Sequence, residues 1–206
     1  MDQSQALSQI KEYLLQLIPD LPEEVWLRFV EKCVVRTYTK NTTICKPGMV
    51  YNTVSFVCSG LLRSYYLIDG KEIITAFAYE NCYYSEYESF LTQTASKMYT
   101  TTMEDTTVVD INYKELQDLY SNSPECEKIG RLIAEDLFIF LSNRNSSFQF
   151  DTPETRYIKF LDDCEPIIQR IPQYMIASYL GLTPEALSRT RARMSKKSNS
   201  LIDSDQ

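Results

Sequence analysis

Between Cys33 and Ile111 the chain changes its period, and that change restricts the possible folds more than any other feature of the sequence. Before Cys33, apolar residues recur at helical spacing: Leu7, Ile10, Leu14, Leu17 and Ile18, with Pro19 as a stop. Pro22-Glu23-Glu24 then opens a second short helix carrying Val25, Trp26, Phe29 and Val30. From Cys33 onward the apolar runs are short and rich in β-branched and aromatic residues: Val34 to Thr39, Val54 to Val57 and Leu61 to Tyr66. Lys46-Pro47-Gly48, Ser59-Gly60 and Asp69-Gly70 punctuate them. The Asp-Gly pair suits a two-residue hairpin, whose central positions both need positive φ. Strands this short and this closely spaced predict an antiparallel sandwich or barrel. A patch from Tyr83 to Leu91 interrupts them as one or two helical turns.

Beyond Ile111 the helical period returns. Residues 113 to 120 predict a small helix, and a long one runs from Pro124 to about Phe148. Along it Cys126, Ile129, Ile133, Leu137 and Phe140 step by three or four, a coiled-coil-like seam, while Leu132, Phe138, Ile139 and Leu141 make a second apolar face. A helix this apolar needs cover on more than one side, so one face is expected on the β-domain and the other on a second copy. Asp151-Thr152-Pro153-Glu154 is a polar break that starts another helix, and the domain boundary is placed there. The expectation is a β-domain over residues 1–150 and a helical domain over 151–197, with helices near 153–164, 173–180 and 184–197. A polar tail without structure is expected over 198–206.

The charge is unevenly spread. The chain carries −7, yet Arg170 to Lys197 holds six basic residues against the single acid Glu185, a balance of +5 that leaves −12 on the rest. An acidic body with one basic segment points to a localised polyanion site. Six cysteines (Cys33, Cys45, Cys58, Cys82, Cys126 and Cys164) never approach closer than twelve positions, so no Cys-x-x-Cys metal or redox motif exists and buried reduced thiols are expected. The chain has no histidine, which removes Ser-His-Asp triads, Cys-His dyads, His-built zinc sites and proximal-His haem. A metal-caged, cupin-shaped β-barrel enzyme loses its usual ligands for the same reason. No metal, no resident cofactor and no enzymatic activity are therefore expected. The longest apolar run, Leu137 to Leu141, is far short of a membrane span, and the first residues lack the pattern of a signal peptide, so a cytoplasmic protein without membrane contact is expected.

The basic segment contains QYMIASYLGLTPEALSRTRAR, residues 173 to 193, in which two helical patterns meet at Gly181. This is the pattern of a helix-turn-helix, whose second helix enters the DNA major groove. Ala177 stands where the two helices cross, Gly181 suits a left-handed turn, and Ile176, Leu180, Leu182, Leu187 and Met194 supply the inner face. Thr183 is the expected N-cap, Pro184 the first helical residue and Glu185 a complement to the helix dipole. The opposite face shows Glu185, Ser188, Arg189 and Ala192. Arg189 can donate twice to guanine and Glu185 can accept from cytosine, so Glu185, Ser188 and Arg189 are the candidate base readers. Thr183, Arg191, Arg193, Lys196 and Lys197 are the candidate phosphate contacts.

Residues 172 to 194 resemble the carboxy-terminal helix-turn-helix of Crp/Fnr-type transcription regulators. The upstream order of short strands, Lys-Pro-Gly turn, Ser-Gly-Leu-Leu-Arg-Ser-Tyr and long apolar helix is similar to that family's amino-terminal half. The resemblance implies an α+β chain: an antiparallel, cyclic-nucleotide-binding-like β-roll (a jelly roll) with flanking helices, a dimer helix at about 124–148, and a winged-helix-like reading domain. The stretch Cys164 to Pro172 leaves little room for the usual wing, so a reduced one is expected. The resemblance also implies a homodimer on palindromic double-stranded DNA, with RNA polymerase as a further partner and Ile129, Ile133, Leu137 and Phe140 in the dimer helix. Glu185, Ser188 and Arg189 match the Glu-x-x-Ser-Arg reading pattern of Fnr-like members. In the sensor half, Ser85-Glu86 resembles the Gly-Glu start of the phosphate cassette with its glycine replaced, and Ser96 stands near the usual arginine, with Lys97 beside it. Lysine lacks the planar fork, and Glu80, Glu86 and Glu88 make the region acidic, so cyclic AMP is not expected to bind in the usual way. Tyr84, Ser85, Glu86, Lys97 and Tyr99 are the candidate pocket for an unidentified small-molecule effector. The alternative is an effector-binding β-roll with a degenerate sensor that acts mainly through protein contacts.

Overall fold

A computed structural model describes residues 1–204, with side chains described as far as Ser195. The chain opens with α1 (Gln3–Leu17), where Asp2 and Gln5 close a reciprocal capping box. Helix α2 (Glu23–Glu31) follows, with Pro22 as its N-cap, so that it starts one position later than the sequence suggests. Eight strands then occupy the region of short apolar runs: β1 (Cys33–Tyr38), β2 (Thr43–Cys45), β3 (Thr53–Ser59), β4 (Leu62–Ile68), β5 (Lys71–Ala78), β6 (Tyr83–Tyr84), β7 (Tyr99–Thr102) and β8 (Thr106–Asn112). Helix α3 (Tyr87–Thr92) interrupts them within the Tyr83 to Leu91 patch, whose first two residues are strand β6 instead of helix.

The strands form two four-stranded sheets, ordered β1-β8-β3-β6 and β2-β7-β4-β5. The registered pairs are antiparallel; Val35 faces Val109, Phe56 faces Val109 across the other edge of β8, and Ser64 faces Thr100. Asp69 and Gly70 join β4 to β5 at φ 50° and 75°, the twist a two-residue hairpin needs. Because side chains alternate, Phe56, Val109 and Ile111 of the first sheet pack under α1 and α2 with Ile10, Leu14, Trp26 and Phe29. The other face of that sheet, through Val57 and Val108, closes on Leu62, Tyr84, Cys45 and Ala78 inside the roll.

Helix α4 (Tyr113–Asn122) starts on an Asn112 cap and leads into α5 (Pro124–Phe150), a single helix of 27 residues. Then come α6 (Pro153–Asp163), capped by Thr152, a 3-10 helix over Glu165–Arg170, α7 (Gln173–Tyr179) and α8 (Pro184–Ser204). The space expected for a reduced wing is thus taken by two tight helical turns. Helix α8 continues seven residues past the expected end at Lys197. Nothing after Met194 is proline or glycine, so no residue there stops it.

The chain divides into two compact units: Met1–Lys71 with Thr75–Leu137, and Glu72–Ile74 with Phe138–Gln206. The division falls inside α5, between Leu137 and Phe138, thirteen residues ahead of the polar break that marks a boundary in the sequence. None of the six cysteines forms a disulfide, and burial pushes the Cys33 thiol up to about 12 and the Cys58 thiol to about 11.

Candidate nucleic-acid interface

The second unit is built around the turn from Leu180 to Thr183. Gly181 sits at φ 67°; its amide donates to the Ser178 carbonyl (3.0 Å), and the Leu182 amide donates to the Ala177 carbonyl (2.8 Å). These two bonds form a Schellman motif that ends α7 and turns the chain sharply. Thr183 then starts α8, its Oγ1 accepting from the Ala186 amide at 3.1 Å. Ile176, Ala177, Leu180 and Leu187 are buried, as the pattern of the two helices predicts; Leu182 and Met194 of the expected inner face are half-buried, and Met175 and Thr190 join the buried set.

With Leu187 and Thr190 inward, α8 turns Glu185, Ser188, Arg189 and Ala192 outward, all four exposed. The Glu185 carboxyl is held below its ordinary value by its own backbone amide, helped by the Thr183 hydroxyl and by Arg189. It is therefore an ionised acceptor at the start of the helix, followed one turn later by a guanidinium donor. Arg191 Nη1 donates to Gln173 Oε1 at 2.5 Å, which ties the side of α8 to the start of α7. A hollow of about 460 Å³ lies there, lined by Gln173, Pro184, Ser188, Arg191 and Ala192. Arg193 leans the other way and pairs with Glu154 of α6 at 3.3 Å. The side chains of Lys196 and Lys197 lie outside the described residues. Gln173 is a residue the sequence reading missed, because its role depends on where α7 begins relative to α8.

In the first unit the five candidate pocket residues separate. Tyr84 is buried inside the roll and bonds to Thr100 Oγ1, which in turn meets Ser64 Oγ at 3.0 Å. Ser85 Oγ donates to the Thr53 carbonyl (2.9 Å). Glu86, only 4% exposed, accepts from the Ser89 amide (2.9 Å) and so caps α3. Lys97 is 75% exposed and pairs with Glu88 at 3.8 Å. Tyr99 stacks on Tyr65 at 5.2 Å, on the opposite face of β7 from Thr100. Tyr84 and Glu86 are thus buried, while Lys97 is exposed and Tyr99 lies on the other face of β7 from the Thr100 that Tyr84 meets. The strand alternates faces, and two neighbouring residues cannot both point inward. Deeper in the roll, Asp110 takes a hydrogen bond from Ser55 Oγ (2.6 Å) and faces Arg36 Nε at 3.1 Å. Burial raises its pKa, with Ser55 and Arg36 acting against that rise.

The dimer-helix residues also divide. Ile129 is buried in the core of the first unit together with Cys126, and Ile133 packs against the same core. Exposure begins one residue after Leu137, at Phe138 (74%) and Ile139 (56%), and continues through Phe140 and Leu141. The seam expected from Cys126 to Phe140 thus changes character along α5: its first part lies in or against the core of this chain, and Phe140 is exposed together with Phe138, Ile139 and Leu141 of the second apolar face. Among the described residues, no group of three or more Cys, Asp or Glu side chains is placed to hold a metal ion, and no helix is long and apolar enough to cross a membrane.

The Cyclic nucleotide-binding domain family matches residues 35–123. Among solved structures, FixK2 from Bradyrhizobium japonicum superposes with a TM-score of 0.70 at 18% identity, covering 81% of this chain and 86% of that one. A protein from Eubacterium rectale assigned to the Crp/Fnr family of transcriptional regulators gives 0.66 at 18% identity, over 89% and 88%. The chain has the Crp/Fnr-type fold. CLP of Xanthomonas campestris, described as a c-di-GMP-responsive global regulator, has the same fold with a TM-score of 0.65 at 20% identity, over 86% and 93%. No curated protein matches the sequence. In the Crp/Fnr-type frame, the family match spans the strands and α3–α4, and the two-helix segment with its outward Glu185, Ser188 and Arg189 lies beyond it.

Proposed function

We propose that this Crp/Fnr-type chain is a sequence-specific DNA-binding transcription regulator, and not an enzyme. The observation that carries the proposal is the surface of α8. Glu185, Ser188, Arg189 and Ala192 share one exposed face opposite buried Leu187 and Thr190, on the basic segment of an otherwise acidic chain. A helix of this kind fits the major groove, with Arg189 as donor to guanine, Glu185 as acceptor from cytosine and Ser188 between them. Arg191, Thr183, Lys196 and Lys197 flank the face and are assigned to phosphate, as is Arg193 once Glu154 releases it.

A homodimer is the second part of the reading. The exposed run Phe138 to Leu141 on α5 supplies an apolar face for a second copy. Two reading helices would then meet a palindromic site with half-sites about 34 Å apart. RNA polymerase is the further partner, in the cytoplasm. The sensor is proposed not to bind cyclic AMP in the usual way, because Glu86 is committed to capping α3 and Ser96 Oγ to the Met98 amide (3.0 Å), while Lys97 is exposed and pairs with Glu88.

Sequence selection on random duplexes, followed by titration at several salt concentrations, tests the reading. Affinity should fall with a log–log slope of about −0.9 per phosphate neutralised. Arg189→Ala should cost about 1–3 kcal/mol on the selected site and little on scrambled DNA. Binding that ignores salt would sink the DNA reading and leave a β-roll acting through protein contacts. Equal loss on both duplexes would remove Arg189 from the base-reading set.

A further inference from the structure

The turn that orients α8 is held from outside its own two helices. The end of α7 presents carbonyls that need donors. The Schellman bonds satisfy Ala177 and Ser178, and the next two carbonyls go to arginines from elsewhere in the second unit. Arg144 of α5 donates from Nη2 to the Tyr179 carbonyl at 3.0 Å. Arg156 of α6 donates from Nε to the Leu180 carbonyl at 3.1 Å and from Nη1 to the Asp151 carbonyl at 3.0 Å. The same two guanidiniums flank the ring of Phe148, 5.0 Å and 5.6 Å from its centroid. Arg144 also lies 3.8 Å from the centre of the Tyr179 ring, and Phe160 lies 5.5 Å from that ring. Phe148 Cε1 comes within 2.9 Å of where a Cβ on Gly181 would stand.

We propose that Arg144 is a positioning residue for DNA reading: from α5 it fixes the turn between α7 and α8, and with it the direction in which Glu185, Ser188 and Arg189 point. The inference rests on the DNA-reading function above and adds a residue that never touches DNA. Half-burying a guanidinium costs solvation, and an apolar side chain would fill the space with less penalty. The guanidinium contributes direction instead, since it lies against one ring while donating to a carbonyl at a helix end. Burial accordingly lowers its pKa, while Tyr179 acts in the other direction. The same helix carries the open apolar run Phe138 to Leu141, so the arrangement of a second copy would reach the reading helix through one hydrogen bond and one ring contact.

The test compares full-length wild type with Arg144→Ala, Arg144→Met and Arg144→Lys in three measurements. These are thermal melting, amide hydrogen exchange at Leu182, and the ratio of affinities for the selected and scrambled duplexes at fixed salt. In Arg144→Ala the affinity ratio should fall about tenfold and Leu182 exchange should quicken about tenfold, with scrambled-DNA affinity and salt slope unchanged. Arg144→Lys should recover part of both, since lysine reaches the carbonyl but cannot stack. If Arg144→Ala does not fold, Arg144→Met keeps the packing stem without the donor and should show the same two losses. An unchanged ratio in a variant that binds DNA overturns the inference, and so does a parallel loss on both duplexes. Wild type that prefers no duplex would instead refute the proposed function; the role of Arg144 in reading falls with it, and Leu182 exchange still decides whether the clamp exists.

Discussion

Gly181 meets two requirements at once, and they can be measured separately. Its φ of 67° disfavours any side chain by about 1–2 kcal/mol, and an added Cβ would also press on Phe148. Gly70 has a similar φ of 75° but faces open space. Gly181→Ala should therefore lower stability in urea by more than Gly70→Ala, the difference being the Phe148 contact. Thr183→Ala removes the side-chain cap on α8 and should cost about 1 kcal/mol by the same measurement. Asp151 supplies the pH dependence of this region. A hydrogen bond from Lys159, then one from Ser147, holds its carboxyl below the ordinary 3.8. Its contribution is present above that value and is lost as pH falls below it. Urea midpoints should drop between about pH 5 and pH 2, and Asp151→Asn should flatten that part of the curve.

Among the elements, the hairpin at Asp69-Gly70 and the paired helices around Gly181 were legible because backbone conformation at those positions depends on residue type alone. Helix α5 was harder to read. A repeat of three and four shows which residues share a face, but not how far along the helix the core that covers that face extends. Ile129 lies in the core of the first unit, while Phe140 of the same seam falls past the end of that unit at Leu137 and is exposed. The pocket residues failed for a related reason: alternation shows that Tyr99 and Thr100 oppose each other, but not which of them is inside. Arg144 and Arg156 gave no signal, since a cation at a helix end reads as a solvated one until the carbonyls it meets are known. The corrected α5 makes a distinction that can be tested by sedimentation and melting together. Ile129→Ala should destabilise the monomer by about 2–5 kcal/mol. Phe138→Glu should leave melting of the separated chain nearly unchanged while abolishing self-association.

At the scale of the molecule, the proposed function is divided between an acidic β-roll and a basic segment assigned to reading DNA, and on that proposal salt should act on them unequally. Screening would weaken the proposed phosphate contacts of the reading end, whereas the hydrogen bond from Ser55 to buried Asp110 should be nearly indifferent to it and the pairing with half-exposed Arg36 should respond less. Unfolding of the roll should therefore vary little over a range of salt that removes DNA binding, a comparison that fluorescence of the single Trp26 can report. The division of the chain inside α5 carries a practical consequence for anyone wishing to dissect it. The loop at Asp151-Thr152 is the obvious place to cut, and cutting there would strand Arg144 and Phe148 on the wrong piece. A reading fragment begun at residue 151 should be poorly helical and bind without preference, whereas one begun at Phe138 takes its own fastening with it.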